Sequence, residues 1–253
     1  MAMSAIIDRP GSGPRHRPRV RVPLWIGLAL VVIPALWWLL DTLTDPRFMP
    51  VTAVRVDGEF RHQTRAQLHA EISSYAAGGF FSVDADAVRR AALRLPWVAS
   101  ASVRRVWPDT LQVAVTEHKP VARWGASALL NEQGAVFTPA VESFPSGLPL
   151  LLGPPGLETV VMERMARINS ALQPLRQQVL RLALDERRAW SVTLNNSVEL
   201  LLGREDIDAR VQRYVAAYPS ALELRVTQLT AVDLRYTNGF AARWAPAVTT
   251  SLR

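Results

Sequence analysis

The sequence predicts an α+β protein held behind one N-terminal membrane-spanning helix, and three observations carry the prediction. Val22 to Leu40 contains no charged side chain. Residues 51–117 read strand, helix, helix, strand, strand by their apolar spacing. Beyond residue 120, short β-rich segments separated by turn residues dominate over two amphipathic helices.

The uncharged stretch VPLWIGLALVVIPALWWLL is long enough to cross a bilayer. At about 1.5 Å of rise per residue, a helix of this length matches a hydrocarbon core about 30 Å thick, and it satisfies the backbone groups that lipid cannot. Arg9, Arg15, Arg17, Arg19 and Arg21 precede it against Asp8 alone, whereas Asp41, Asp45 and Arg47 follow. The arginine-rich side stays cytoplasmic. Trp25 near one end and Trp37 with Trp38 near the other suit the two interfaces, and Pro34 can kink the helix. A cleaved signal peptide is disfavoured, because bulky Trp-Trp-Leu-Leu stands where small residues precede cleavage. Residues from about 45 onward are therefore expected outside the cytoplasm.

The net charge of +7 is concentrated at the N-terminus, where five arginines face one aspartate within residues 1–21. A balance so local argues against a nucleic-acid footprint and for a topology signal. The chain has no cysteine, which excludes disulfides, thiolate catalysis and Cys-ligated metals. Residues 1–21, rich in Pro, Gly, Ser and Arg without apolar period, read as a disordered tail.

After a polar connector over 41–50, Val51 to Val56 reads as a strand closed by Asp57-Gly58. Thr64 and Gln67 are spaced as a capping box for a helix whose face carries Leu68, Ile72 and Tyr75. Gly78-Gly79 ends it. Asp84 can cap a second helix bearing Val88, Ala91, Ala92 and Leu95, which Pro96 stops. Strands follow over Val98 to Val106 and Thr110 to Glu117, joined by Trp107-Pro108-Asp109. In the second, Leu111, Val113 and Val115 alternate with polar or small residues, so one face is buried.

Val121 to Phe137 reads as a strand pair turning at Asn131 to Gly134, followed by a Pro-rich connector through Pro155. A helix from Leu157 to Leu172 presents Leu157, Val160, Val161, Met165, Ile168 and Leu172, and Pro174 closes it. Strands are expected over Val179 to Leu184, Ala189 to Leu194 and Val198 to Leu202, with a hairpin turn at Asn195-Asn196. The last helix starts near Glu205, carries Ile207, Val211, Tyr214, Val215 and Tyr218 on one face, and stops at Pro219. Thr230 to Tyr236 alternates strictly, and Asn238-Gly239 offers a tight turn into Phe240 to Trp244. Residues after Pro246 read as disordered.

No catalytic motif is present: neither Gly-x-Ser-x-Gly, His-Glu-x-x-His, a phosphate loop nor Ser-x-x-Lys occurs. His16 lies in the tail, and His62, His69 and His118 are scattered without metal-ligand spacing. Asp84 with Asp86 and Asp206 with Asp208 sit where helices begin, so capping accounts for them. Arg187-Arg188 reads as an exposed turn, and Tyr236 and Trp244 as core or edge-strand aromatics.

Three blocks carry a family likeness. The first runs through Gly79-Phe80-Phe81-Ser82-Val83-Asp84, Leu95-Pro96-Trp97-Val98, Val103-Arg104-Arg105-Val106-Trp107-Pro108-Asp109 and Thr116-Glu117-His118-Lys119-Pro120 to Trp124. The second is Leu194-Asn195-Asn196 with Leu202-Gly203-Arg204. The third is Val232-Asp233-Leu234-Arg235-Tyr236 running to Gly239 and Trp244-Ala245-Pro246. In this order behind one span, the blocks resemble the FtsQ/DivIB family of bacterial cell-division proteins.

The resemblance implies a POTRA domain over 51–119 and a mixed β domain with flanking helices over 120–246, ahead of the tail over 247–253 already read as disordered. It implies a non-enzymatic divisome scaffold without cofactor: a single-pass type II protein of the inner membrane at the division septum, with its bulk in the periplasm. In the family the β domain binds FtsB, which pairs with FtsL, while POTRA and anchor contact other division proteins. Carried onto matching positions, Arg235, Tyr236, Gly239, Phe240 and Trp244 belong to the partner-binding segment, with Arg187 offering a guanidinium beside it. Phe240 to Trp244 as a final, unpaired edge strand would accept a partner strand, and Gly239 would permit the turn that presents it. Ala242 departs from the family's usual Val. Structural roles for these residues stay open. A POTRA-type transport or chaperone module is the rival reading, but it needs tandem units or a barrel-forming segment, and the sequence shows neither.

Overall fold

The computed structural model describes residues 24–44 and 49–245. The expected tails over 1–21 and 247–253, the first two residues of the predicted span and the middle of the connector lie outside the described residues. Helix α1 (Leu24–Thr44) runs past Leu40 and takes Asp41 into its last turns, with Pro34 inside it. Its apolar window Trp25–Thr42 is long enough to cross a membrane, and none of it is buried. Thr42 Oγ1 donates to the Trp38 carbonyl at 2.7 Å, so the hydroxyl is satisfied within the helix.

Next come β1 (Ala53–Asp57), α2 (Arg65–Ala76), α3 (Ala85–Ala92), β2 (Val98–Val106) and β3 (Thr110–Glu117). The three strands form a sheet in the order β1-β3-β2, with β1 parallel and β2 antiparallel to β3. Both helix starts follow from their caps. The Thr64 side chain accepts from the Gln67 amide while Gln67 Oε1 accepts from the Thr64 amide, and Asp84 Oδ1 accepts from the Ala87 amide at 3.0 Å. Leu68, Ile72, Val88, Ala91 and Ala92 then pack on Leu111, Val113 and Val115. Tyr75 departs from the expected face. Ala76 takes the buried position, and the Tyr75 hydroxyl reaches out to accept from Arg94 Nη2 at 2.9 Å, with the guanidinium 5.0 Å from its ring.

The second unit is one nine-stranded mixed sheet with two helices packed side by side on it. It comprises β4 (Pro120–Trp124), β5 (Ala128–Asn131), β6 (Val136–Phe137), β7 (Leu150–Leu152), α4 (Glu158–Leu172), β8 (Val179–Leu184), β9 (Trp190–Leu194), β10 (Glu199–Gly203), α5 (Ile207–Ala217), β11 (Leu229–Asp233) and β12 (Ala241–Trp244). The strand order is β12-β11-β10-β9-β8-β7-β4-β5-β6. Val161, Met165, Ile168 and Leu172 of α4 join Ile207, Val211 and Tyr214 of α5 in one core.

Three local readings change. The expected strand pair over 121–137 is three strands, because the chain turns at Gly125, with φ +60, between β4 and β5. The Pro-rich connector hides β7, which lies parallel between β4 and β8 with Leu151 fully buried. Pro219 ends the α-helical ladder but not the winding: a π-helical turn (Tyr218–Leu222) and a 3-10 turn (Glu223–Gln228) carry the chain to β11.

Two buried polar groups meet inside this core. The Tyr214 hydroxyl donates to Gln177 Oε1 at 2.9 Å, and burial pushes the phenol above its ordinary value. Tyr214→Phe removes only the donor and leaves a buried amide oxygen short of its partner. We expect a loss of about 1–3 kcal/mol, read as a lower urea midpoint at constant slope.

Trp97 joins the two units. Its ring stacks 3.7 Å from His62 and meets Phe137 edge-on at 5.2 Å, its Nε1 donates to Ser143 Oγ at 3.2 Å, and its carbonyl accepts from the His118 amide at 2.8 Å. Beside it, the Glu117 carboxylate accepts from the backbone amides of Arg61, His62 and Gln63.

Candidate partner-binding site

The C-terminal strand pair ends at an open sheet edge. β12 pairs antiparallel with β11 and with no other strand among the described residues. The register is Leu229↔Trp244, Ala231↔Arg243, Val232↔Ala242 and Asp233↔Ala241, interrupted between Leu229 and Ala231. The extra residue there is Thr230, whose Oγ1 donates to the Arg243 carbonyl at 3.0 Å.

Two bonds fix which backbone groups of β12 face away from β11. The Ala245 amide donates towards β11, to the Gln228 carbonyl at 2.6 Å, and the Arg243 carbonyl faces the same way. Successive residues of a strand present their amides and carbonyls to alternate sides. Ala241, Arg243 and Ala245 therefore face β11, and Ala242 and Trp244 direct N–H and C=O to the open side. Their side chains point elsewhere: Phe240, Ala242 and Trp244 pack partly buried on the core, while Ala241 and Arg243 are exposed. Trp244 thus has a structural role whatever else it contacts.

Residues 234–240 differ from the expected tight hairpin. β11 stops at Asp233, leaving Arg235 and Tyr236 outside any strand. Leu234 is fully buried, whereas Tyr236 is 58% exposed. Gly239 does not adopt a left-handed backbone, and a Cβ there would meet nothing within 4 Å, so this turn does not require glycine. What holds the loop is Arg213 of α5. Its Nη1 donates to the carbonyls of Tyr236 at 2.8 Å and Gly239 at 3.2 Å, and its Nη2 donates to that of Thr237 at 2.9 Å. No local pattern marks this residue, because its partners lie 23 to 26 positions away.

Arg235 is engaged by its neighbour. Its Nε and Nη2 donate to the two oxygens of Asp233 at 2.9 and 2.6 Å, and its amide donates to Asp233 Oδ1 at 3.1 Å. This fork holds the Asp233 carboxyl below the usual carboxylate range and raises the guanidinium. Gly203 sits beneath the pair with φ +73. A Cβ there would lie 2.6 Å from Arg210 Nη1 and 3.2 Å from Arg235 Cγ, so only glycine keeps both arginines in place.

Arg187 lies in the exposed turn between β8 and β9, which is closed by the Asp185 carboxylate accepting from the Ala189 amide at 2.7 Å. Strand directions put this turn at the same end of the sheet as residues 234–240. It is not adjacent to β12, however: β10 and β11 intervene, and at about 4.8 Å per strand β9 stands roughly 14 Å away. Among the described residues, no group of three His, Cys, Asp or Glu could hold a metal.

The comparisons with known proteins agree over nearly the whole length. The profile described as "Cell division protein FtsQ/DivIB, C-terminal" matches residues 122–235, and "POTRA domain, FtsQ-type" matches residues 49–118. The chain belongs to the FtsQ/DivIB family. The FtsQ of Allochromatium vinosum is 37% identical over 93% of both chains. That of Coxiella burnetii is 36% identical over 86% of this chain and 89% of its own, and that of Xanthomonas campestris pv. campestris 38% over 87% and 79%. Like other FtsQ/DivIB members, it is a cell-division protein, built as an N-terminal apolar helix, a POTRA domain and a mixed β domain.

Proposed function

We propose that the protein is a non-enzymatic scaffold of the divisome, anchored by α1 in the inner membrane at the septum, that binds FtsB, and through it FtsL, by strand addition to β12. Residues 51–119 serve as the POTRA unit that contacts other division proteins, and residues 120–246 as the β unit that takes FtsB. Both project into the periplasm. The observation that carries this reading is the open edge, where Ala242 and Trp244 offer backbone donors and acceptors to an incoming strand. Exposed Tyr236, on a loop clamped by Arg213, stands ready to fill a pocket or cover a partner side chain.

Calorimetric titration of the protein with a periplasmic FtsB fragment tests the reading. Tyr236→Ala should weaken binding about tenfold, as truncation of a contact aromatic does; unchanged affinity removes Tyr236 from the interface. Topology has its own test. A reporter fused after Arg253 should be active only in the periplasm, and cytoplasmic activity would reverse the orientation.

A further inference from the structure

One end of the POTRA domain is tied closely to the membrane helix. α1 ends at Thr44 and the next described residue is Met49, so five peptide steps, at most roughly 17 Å, separate them. Two segments converge on the chain just after this tether, through three backbone bonds. The Phe80 amide donates to the Met49 carbonyl at 2.7 Å, the Val51 amide to the Gly78 carbonyl at 2.9 Å, and the Thr52 amide to the Asp109 carbonyl at 3.0 Å. The loop 78–83 and the β2–β3 turn therefore both sit at the membrane-proximal end.

Those segments expose the wrong side chains for water. Trp107, at the tip of the turn, is 76% exposed, with Val106 beside it, and Phe81 is 49% exposed although its neighbour Phe80 is buried. Arg104 and Arg105 flank the tip. Arg105 Nη2 donates to the Val83 carbonyl at 2.7 Å, tying the turn to the Phe81 loop, and Arg104 Nε donates to Gln112 Oε1 at 2.8 Å. Each guanidinium has further donors that suit phosphate. The one carboxylate in the turn, Asp109, accepts from the hydroxyls of Thr52 and Thr110.

We propose that this end of the POTRA domain docks on the lipid bilayer, with Trp107 and Phe81 entering the interfacial region and Arg104 and Arg105 meeting headgroup phosphates. The short tether selects the bilayer as occupant, because it holds this surface beside the membrane at all times. Tryptophan at headgroup depth buries an apolar body while its N–H stays wet, and arginine stems bury beside it. The docked end fixes the POTRA domain's orientation, so the opposite end and the β domain project away from the membrane. The inference rests on α1 crossing the bilayer and is independent of what binds β12.

The absence of cysteine allows single nitroxide labels in the full chain. With the protein reconstituted in vesicles of equal phosphatidylethanolamine and phosphatidylglycerol, a label at Ser82→Cys should collide several-fold more with oxygen, relative to a water-soluble nickel chelate, than one at Glu59→Cys beyond the far end of β1. Adding Trp107→Glu, which alters an exposed side chain and no core contact, should bring the Ser82 label to the Glu59 value. A Ser82 label as wet as Glu59 in these membranes, which hold no other protein, overturns the proposal and leaves the patch for a protein partner. Protection that survives Trp107→Glu overturns it too.

Discussion

Ala242→Pro should abolish binding of a periplasmic FtsB fragment, by about 100-fold or more, while leaving the fold intact. The asymmetry comes from the direction of one N–H. Ala242 faces the open side of β12, so proline there removes a donor that β11 never used and sets its ring in the path of the incoming strand. A partner carbonyl left unpaired costs about 1–3 kcal/mol, and the steric conflict adds to it, which together reach the expected factor. The side chain itself packs only partly on the core, and proline is tolerated on edge strands. Arg243→Pro is the matched contrast. Its N–H faces β11, so that variant removes a ladder bond and should lose about 1–3 kcal/mol of stability as well as binding. Full-strength titration by a folded Ala242→Pro protein would exclude strand addition at this edge.

The parts of this architecture written in local pattern were legible from sequence. Thr64 with Gln67, Asp84, the alternation of Leu111, Val113 and Val115, and the uncharged run into Leu40 each carry their own physical signal within a few residues. What was illegible depends on distant partners. β7 is three residues long, too short for any period, and is a strand only because β4 and β8 flank it. The alternation of Val232, Leu234 and Tyr236 promised a strand to residue 236, yet β11 stops at Asp233, where Arg235 forks back onto the carboxylate and Arg213 gathers the carbonyls beyond. The edge position of the last strand entered the sequence reading only with the family resemblance, because a place at the end of the chain does not fix a place in the sheet, as the other edge, β6, shows. The separation of Arg187 from it was illegible too, since that follows from β10 and β11 being inserted between them.

Trp97→Ala should be the most damaging single change at the junction, costing about 3–5 kcal/mol as large buried aromatics do. The residue is buried at the start of β2's sheet, yet its contacts reach Phe137 and Ser143 of the other unit and His62 of its own. Its loss should therefore split one cooperative unfolding transition into two. His118 supplies a second readout at the same place. Burial pulls its imidazole below the ordinary value of 6.5, and Asn131 fixes the reason geometrically. The Asn131 Oδ1 accepts from the amides of Gln133 and Ala135, so its Nδ2 must donate to His118 Nδ1 at 2.9 Å, which requires that nitrogen to be unprotonated. The unfolded chain then binds the proton more readily than the folded one. Stability attributable to His118 is present above about pH 6.5 and is lost as pH falls through the lower folded value. In Trp97→Ala, water reaches the ring stacked on Phe137, and the imidazole should titrate nearer its ordinary value, with the acid-side slope of stability reduced. Proton-detected NMR of His118 measures the titration, and urea midpoints taken across pH measure the slope. An unshifted titration in a folded Trp97→Ala protein would mean that the tryptophan does not shield this joint.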